Sequence, residues 1–154
     1  MKKNSFIEKV FITNTSGETQ ELGRDFAKTL KKGDVVRLYG DLGSGKTTFV
    51  QGLAQGLGIN SRIISPTFVV VRNYRMKNNE SNVMDFYHID LYRMESGKDI
   101  EVLGIEEIMN NKNNIVVIEW AEKLKKYCSE KGIGIEFFYE KNDARRIVFR
   151  SLNQ

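Results

Sequence analysis

Proline, cysteine, histidine and tryptophan each occur once in this sequence, as Pro66, Cys128, His88 and Trp120. A lone cysteine excludes an intrachain disulfide and any Cys-rich zinc site, which fits a reducing compartment and leaves Cys128 as filler or a surface thiol. No apolar run approaches the roughly 20 residues that a bilayer-spanning helix needs. The first ten residues are broken by Lys2, Lys3, Glu8 and Lys9 and carry no secretory apolar segment. A cytoplasmic protein without membrane contact is therefore expected. No repeat or linker-like stretch divides the 154 residues, so one domain over 1–154 is expected. Charge of one sign is also scarce. Lysine and arginine number 24 against 20 acids, a net +4, and the cations fall in short pairs such as Lys31-Lys32 and Arg145-Arg146 rather than in a patch. Direct RNA binding is not indicated by that pattern.

Glycine is the exception to this scarcity, and its placement carries the chemistry. Gly40-Asp41-Leu42-Gly43-Ser44-Gly45-Lys46-Thr47 spells G-x-x-x-x-G-K-T. The apolar stretch Val35 to Tyr39 leads in as a strand and Thr48 to Leu57 leads out as a helix, the context in which this motif is believed. Glycines allow positive φ and bring successive N–H groups onto phosphate oxygens, and the following helix adds its positive end. Lys46 is placed to reach the β- and γ-phosphates, and the Thr47 hydroxyl to ligate Mg2+. The plain alternative is a glycine-rich turn with a solvated lysine.

Further along, Ile115 to Ile118 is a fully apolar run ending in Glu119-Trp120, the mark of a buried parallel strand whose end opens toward a site. In phosphate-loop enzymes such a terminal acid faces the magnesium shell opposite the loop threonine. His88-Ile89-Asp90-Leu91-Tyr92-Arg93 has strand alternation, with His88 and Asp90 on one face and Ile89, Leu91 and Arg93 on the other. Asp90 suits the orientation of an attacking water or of a metal-bound one. A lone strand histidine such as His88 is more often a structural group. Trp120 reads as packing, or as a link between the metal site and a partner surface.

The remaining elements are coarse. Phe6 to Thr13 suits a first strand, Thr15 to Glu18 a capping box, and Leu22, Phe26 and Leu30 the buried face of a helix closed by Lys31-Lys32-Gly33. Phe68 to Met76 and Val83 to Tyr92 read as a hairpin, as do Ile133 to Tyr139 and Arg146 to Arg150 around Asn142-Asp143. Between the hairpins, Met94 to Asn110 contains short helices with Val102, Leu103, Ile105 and Ile108 as apolar positions, and Ala121 to Tyr127 a short basic one. The fold class is α/β, of the P-loop NTPase type. It has three layers, with a mixed, mainly parallel central sheet flanked by helices and antiparallel hairpins.

Two rival classes share the loop. A small-molecule kinase needs an arginine-rich lid helix, which the sequence does not offer. A regulatory guanine-nucleotide switch needs N-K-x-D after a strand, and Asn111-Lys112-Asn113-Asn114 ends in Asn114 and precedes a strand instead.

Taken in order, G-D-L-G-S-G-K-T-T from Gly40, S-P-T-F from Ser65, H-I-D-L-Y-R from His88, G-I-E-E from Gly104 and I-E-W from Ile118 resemble the TsaE (YjeE) family. That family comprises small bacterial ATPases of tRNA threonylcarbamoyladenosine biosynthesis, and the resemblance runs from about Leu22 to Trp120. It implies binding of ATP and Mg2+, slow hydrolysis alone, and action beside a TsaD-like transferase and a TsaB-like paralogue, with tRNA met through that complex. It implies that Lys46, Asp90 and Glu119 serve catalysis and that Thr47 and Glu119 hold Mg2+. The nucleotide would be held by Asp41, Leu42, Gly43, Ser44, Gly45, Lys46, Thr47 and Thr48, with Thr15 passing the adenine. Ser65, Pro66, Thr67, His88 and Trp120 fall in switch-like segments; without the resemblance, Ser65 and Thr67 would simply cap a strand entry. Ser44 stands where alanine is commoner in the family, at a position that contributes mainly backbone. No arginine is singled out as a transition-state finger; Arg62, Arg72, Arg75 and Arg93 stay open, as does one from a partner.

Overall fold

The computed structural model describes residues 6–64, 70–78, 82–95, 97–127 and 132–152. Ser65, Pro66, Thr67 and Cys128 lie outside them. The strands are β1 (Phe6–Thr13), β2 (Val35–Tyr39), β3 (Val71–Asn78), β4 (Asn82–Asp90), β5 (Asn114–Glu119), β6 (Ile133–Tyr139) and β7 (Arg145–Leu152). The helices are α1 (Ser16–Ala27), α2 (Lys46–Gly56), α3 (Gly97–Val102) and α4 (Ile105–Asn110), with a 3-10 segment at Ala121–Tyr127.

All seven strands join one sheet in the order β1-β7-β6-β2-β5-β4-β3. Its centre is parallel, because β2 pairs in parallel with both β5 and β6, and β4 pairs in parallel with β5. Antiparallel pairs β3–β4, β6–β7 and β1–β7 finish the two edges. Strands β1, β6, β2, β5 and β4 thus run one way and β7 and β3 the other, so the sheet is mixed and mainly parallel.

Both faces of the sheet are covered, which makes three layers. On one face Phe49, Val50, Leu53 and Ala54 of α2, with Ala27 of α1, pack on Val36, Leu38, Ile115, Val117, Ile135 and Ile147. Phe49 lies in edge or tilted contact with Phe26, Phe137 and Phe149. Fully burying one such ring contributes about 1.5–3 kcal/mol before entropy is counted. On the other face Ile100, Ile105 and Leu124 close over Ile89, Val116 and Ile118. Every residue of β5 is buried, as a strand sandwiched between two layers must be.

Local chemistry explains most boundaries. Thr15 caps α1, its hydroxyl accepting the Glu18 N–H at 3.1 Å, while the Glu18 carboxylate accepts the N–H of Asn14 at 2.6 Å. The box is therefore offset by one residue from the reciprocal form. The first helix ends at Ala27, so Leu30 packs on the core from the turn that follows rather than from the helix. Asn142 and Asp143 turn the last hairpin with φ of 59° and 58°.

One expectation is corrected. Val102 and Leu103 are exposed, at 85% and 37%, because α3 ends at Val102, whereas Ile100, Ile105 and the half-buried Ile108 pack inward. The expected alternation along the His88 strand holds, with Ile89 and Leu91 packed in the cluster under α3 and α4 and His88 turned the other way onto Glu119. His88, Ile89 and Asp90 are all buried, because the paired interior of the sheet leaves neither face of β4 to solvent there.

Candidate nucleotide-binding site

The loop from Gly40 to Gly45 joins the end of β2 to the start of α2. Its glycines have φ of 144° at Gly40, 76° at Gly43 and 107° at Gly45, all on the side of the map that a Cβ disfavours. At Gly40 a Cβ would also lie 2.7 Å from the Phe137 carbonyl oxygen. The Ser44 N–H closes the turn onto the Asp41 carbonyl at 3.1 Å. Lys46, Thr47 and Thr48 form the first turn of α2, where backbone N–H groups lack intrahelical partners and the helix dipole is positive. The Ser44 side chain is fully buried, with its hydroxyl unpartnered.

Lys46 is 4% exposed. Its ammonium donates to the carbonyls of Gly40 at 2.6 Å and Asp41 at 2.9 Å and lies 4.4 Å from the centroid of the Trp120 ring. Burial pulls its pKa below the ordinary lysine value, against the opposing pull of Glu119, Glu122, Asp90 and Asp41. A cation held on weak carbonyl acceptors among four carboxylates suits exchange onto an anionic ligand.

Glu119 ends β5 between its neighbours, opposite Leu38 of β2 and Asp90 of β4. Its carboxylate is 2% exposed and both oxygens are engaged. Thr47 donates its hydroxyl to Oε1 at 2.8 Å, and Nε2 of His88 lies 2.7 Å from Oε2. His88 is fully buried and its Nδ1 has no hydrogen-bond partner, so the ring proton belongs on Nε2, directed at Glu119. Asp90 is buried at the cavity wall and accepts the Tyr92 N–H at 2.9 Å. Trp120 follows Glu119 with φ of 57°, a strained conformation for an aromatic residue, and its ring packs on Tyr92 at 5.1 Å.

Between these groups lies a cavity of about 480 Å³. Leu42, Gly43, Gly45, Lys46, Thr47 and Thr48 line one side, and Asp90, Glu119 and Trp120 another. Asp41, Ser44 and His88 are not in the lining; the first two lie within the loop, and His88 contacts Glu119. Thr15 is not in it either, and caps α1 instead. Val70, Tyr92 and Met94, given no site role from sequence, complete the wall together with Arg93. Tyr92 and Arg93 end the His88 motif, which was the available signal. Lys123 fixes that segment by donating to the carbonyls of Tyr92 and Met94. Of the four arginines left open, Arg93 is the one lining the cavity, while Arg75 pairs with Asp85 at 3.4 Å on the surface.

The residues fit a hard cation. Thr47 Oγ1 and Glu119 Oε1 are adjacent oxygens at the cavity edge, and Mg2+ takes one or two protein oxygens, completing its shell with water and phosphate. Among the described residues no group of three or more His, Cys, Asp or Glu gathers into a cage for another metal.

A glycine loop between a central parallel strand and a helix, facing an acid at the end of the adjacent strand, defines the class as a P-loop NTPase-like fold. Comparison with known proteins makes the class specific. Residues 13–147 match the family model for the threonylcarbamoyl adenosine biosynthesis protein TsaE, and the chain belongs to that family. It is 36% identical over 135 residues to the tRNA threonylcarbamoyladenosine biosynthesis protein TsaE of Bacillus subtilis, covering 88% of this chain and 80% of that one. The protein of the same name from Rickettsia felis is 41% identical over 75% of this chain, a match spanning 64% of the Rickettsia protein. The crystal structure of Bacillus subtilis YdiB superposes with a TM-score of 0.78 at 28% identity, over 98% of this chain and 90% of that one. Among the described residues no helix is long and apolar enough to cross a membrane.

Proposed function

We propose that this chain, acting as one domain in the cytoplasm, binds ATP with Mg2+ and hydrolyses it slowly by itself. We further propose that it does so in support of tRNA threonylcarbamoyladenosine formation, beside a TsaD-like transferase and a TsaB-like paralogue, with tRNA met through their complex. The observation that carries the reading is the Glu119 carboxylate, held between the Thr47 hydroxyl and His88 directly beneath the glycine loop.

In this reading the loop amides from Gly43 to Thr48 cradle the phosphates, and Lys46 exchanges its two carbonyl acceptors for phosphate oxygens. Thr47 and Glu119 would hold Mg2+, which would offset the charge of the phosphates. Asp90, beside Glu119 on the strand side of the cavity, orients the attacking water. Trp120 excludes solvent over Lys46, and Ser65, Pro66 and Thr67 respond to the γ-phosphate. Arg93 supplies the positive charge that the cavity wall offers to the transferring group.

The test uses the chain purified with TsaD and TsaB of the same source. ATP hydrolysis and repeated rounds of tRNA modification are measured with and without it, and with Lys46→Ala and Glu119→Ala. The reading expects partner-stimulated release of inorganic phosphate and sustained modification, both lost in the two variants. Unchanged hydrolysis with partners, together with equal modification in the absence of this chain, overturns it.

A further inference from the structure

The C-terminal hairpin comes back to the glycine loop. Tyr139 is the last residue of β6, which runs beside β2, and Arg145 is the first residue of β7 and stands opposite Tyr139 in register. The Tyr139 hydroxyl donates to the Leu42 carbonyl, and Nη2 of Arg145 donates to the Gly43 carbonyl at 3.4 Å. The guanidinium lies 4.5 Å from the Tyr139 ring centroid and is tied down by Nη1 bonds to the carbonyls of Asp143 at 2.8 Å and Ala144 at 3.2 Å. Asp41, Leu42 and Gly43 are exposed, so the tip of the loop has no core packing to hold its shape.

We propose that Tyr139 and Arg145 are positioning residues that clamp the outward carbonyls of the phosphate loop and so preset its inward amides for phosphate. A peptide unit is planar, so fixing a carbonyl fixes the N–H of the next residue in the opposite direction. Anchoring the Leu42 carbonyl therefore aims the Gly43 N–H. Anchoring the Gly43 carbonyl holds the Ser44 N–H in its turn onto the Asp41 carbonyl, which keeps the loop shape that presents the Gly43 N–H. The absence of a side chain at Gly43 belongs to the same design, since a Cβ there would stand 2.8 Å from the Tyr139 hydroxyl. The hydroxyl is the working group of Tyr139, and its half-exposed ring serves as the platform for Arg145.

The inference rests on the nucleotide reading above, and its test separates the two. ATP and ADP affinities are measured by calorimetry for wild type, Tyr139→Phe, Tyr139→Ala, Arg145→Met and the Phe/Met double variant. Loss of one preorganising hydrogen bond is expected to weaken both nucleotides roughly 3- to 10-fold in Tyr139→Phe. KM for ATP should rise more than kcat falls, and the thermal midpoint should stay near that of wild type. The double variant should lose less than the product of the single losses, because both residues hold one loop. Nucleotide binding by wild type with equal binding by Tyr139→Phe overturns the clamp alone. Loss in Tyr139→Ala but not in Tyr139→Phe also overturns it, since the ring and not the hydroxyl would then be in use. A wild-type protein that binds neither nucleotide overturns the nucleotide reading itself, and the clamp with it.

Discussion

Replacing His88 with leucine tests whether Glu119 is held for a purpose. The two side chains are 0% and 2% exposed and meet at 2.7 Å, so leucine leaves one buried carboxylate oxygen without its donor. An unmet buried polar group costs about 1–3 kcal/mol, and more when it is charged, so a loss of about 3 kcal/mol is reasonable. For a chain of this size each kcal/mol moves the thermal midpoint by about 2–4 °C, which gives a drop of about 6–12 °C. Stability alone does not separate a positioning histidine from a filler, so the Mg2+ dependence of ATP hydrolysis is measured alongside. Removing a group that orients a metal ligand commonly weakens the metal by about 10- to 100-fold, and the Mg2+ half-saturation should rise by that order. His88→Gln keeps an N–H near the Nε2 position and should recover part of both losses. If leucine lowers the midpoint but leaves the Mg2+ requirement unmoved, His88 only fills the core and the orienting role is refuted.

Lys46→Met should weaken ATP binding by roughly 100-fold, the worth of two charge-assisted contacts, without lowering the thermal midpoint, because burial already disfavours the charge there; calorimetry and thermal unfolding check the two halves. Trp120 is the only tryptophan and lies 4.4 Å from the Lys46 ammonium, so its fluorescence should change as ATP draws that ammonium away. A flat titration in protein that calorimetry shows to bind ATP would contradict the exchange. Gly52→Ala should cost about 1–3 kcal/mol in denaturant unfolding, since its Cβ would stand 1.9 Å from the Gln20 carbonyl oxygen and force α1 and α2 apart. Gly17→Ala, whose Cβ meets nothing nearer than 3.7 Å, should instead stabilise by about 0.5 kcal/mol.

Much of the site is short-range and could be read from the chain. The apolar lead-in at Val35–Tyr39, the glycines that need positive φ, and Lys46 and Thr47 at the first turn of α2 are all neighbours in sequence. Their geometry follows from local backbone preference, which a sequence states directly. The run Ile115 to Ile118 likewise announces a doubly covered strand, because only such a strand is apolar at every position. Where helices end and which apolar residues turn inward was less legible. The early stop of α1 at Ala27 and the exposure of Val102 depend on what stands across the gap rather than on periodicity.

The sequence by itself determined that a phosphate loop is present, that an acid ends a buried strand, and that His88 and Asp90 share a strand. Only the tertiary structure decided how these meet. Placing β5 between β2 and β4 sets Glu119 beside both Thr47 and His88, though 72 and 31 residues separate them along the chain. Running β6 along the other side of β2 returns Tyr139 and Arg145 to the tip of the loop, where neither stood out as a residue. The reason is physical. Strand type is set by each segment's own side chains, whereas strand order is set by the summed packing of both faces of the sheet. No single segment carries that sum.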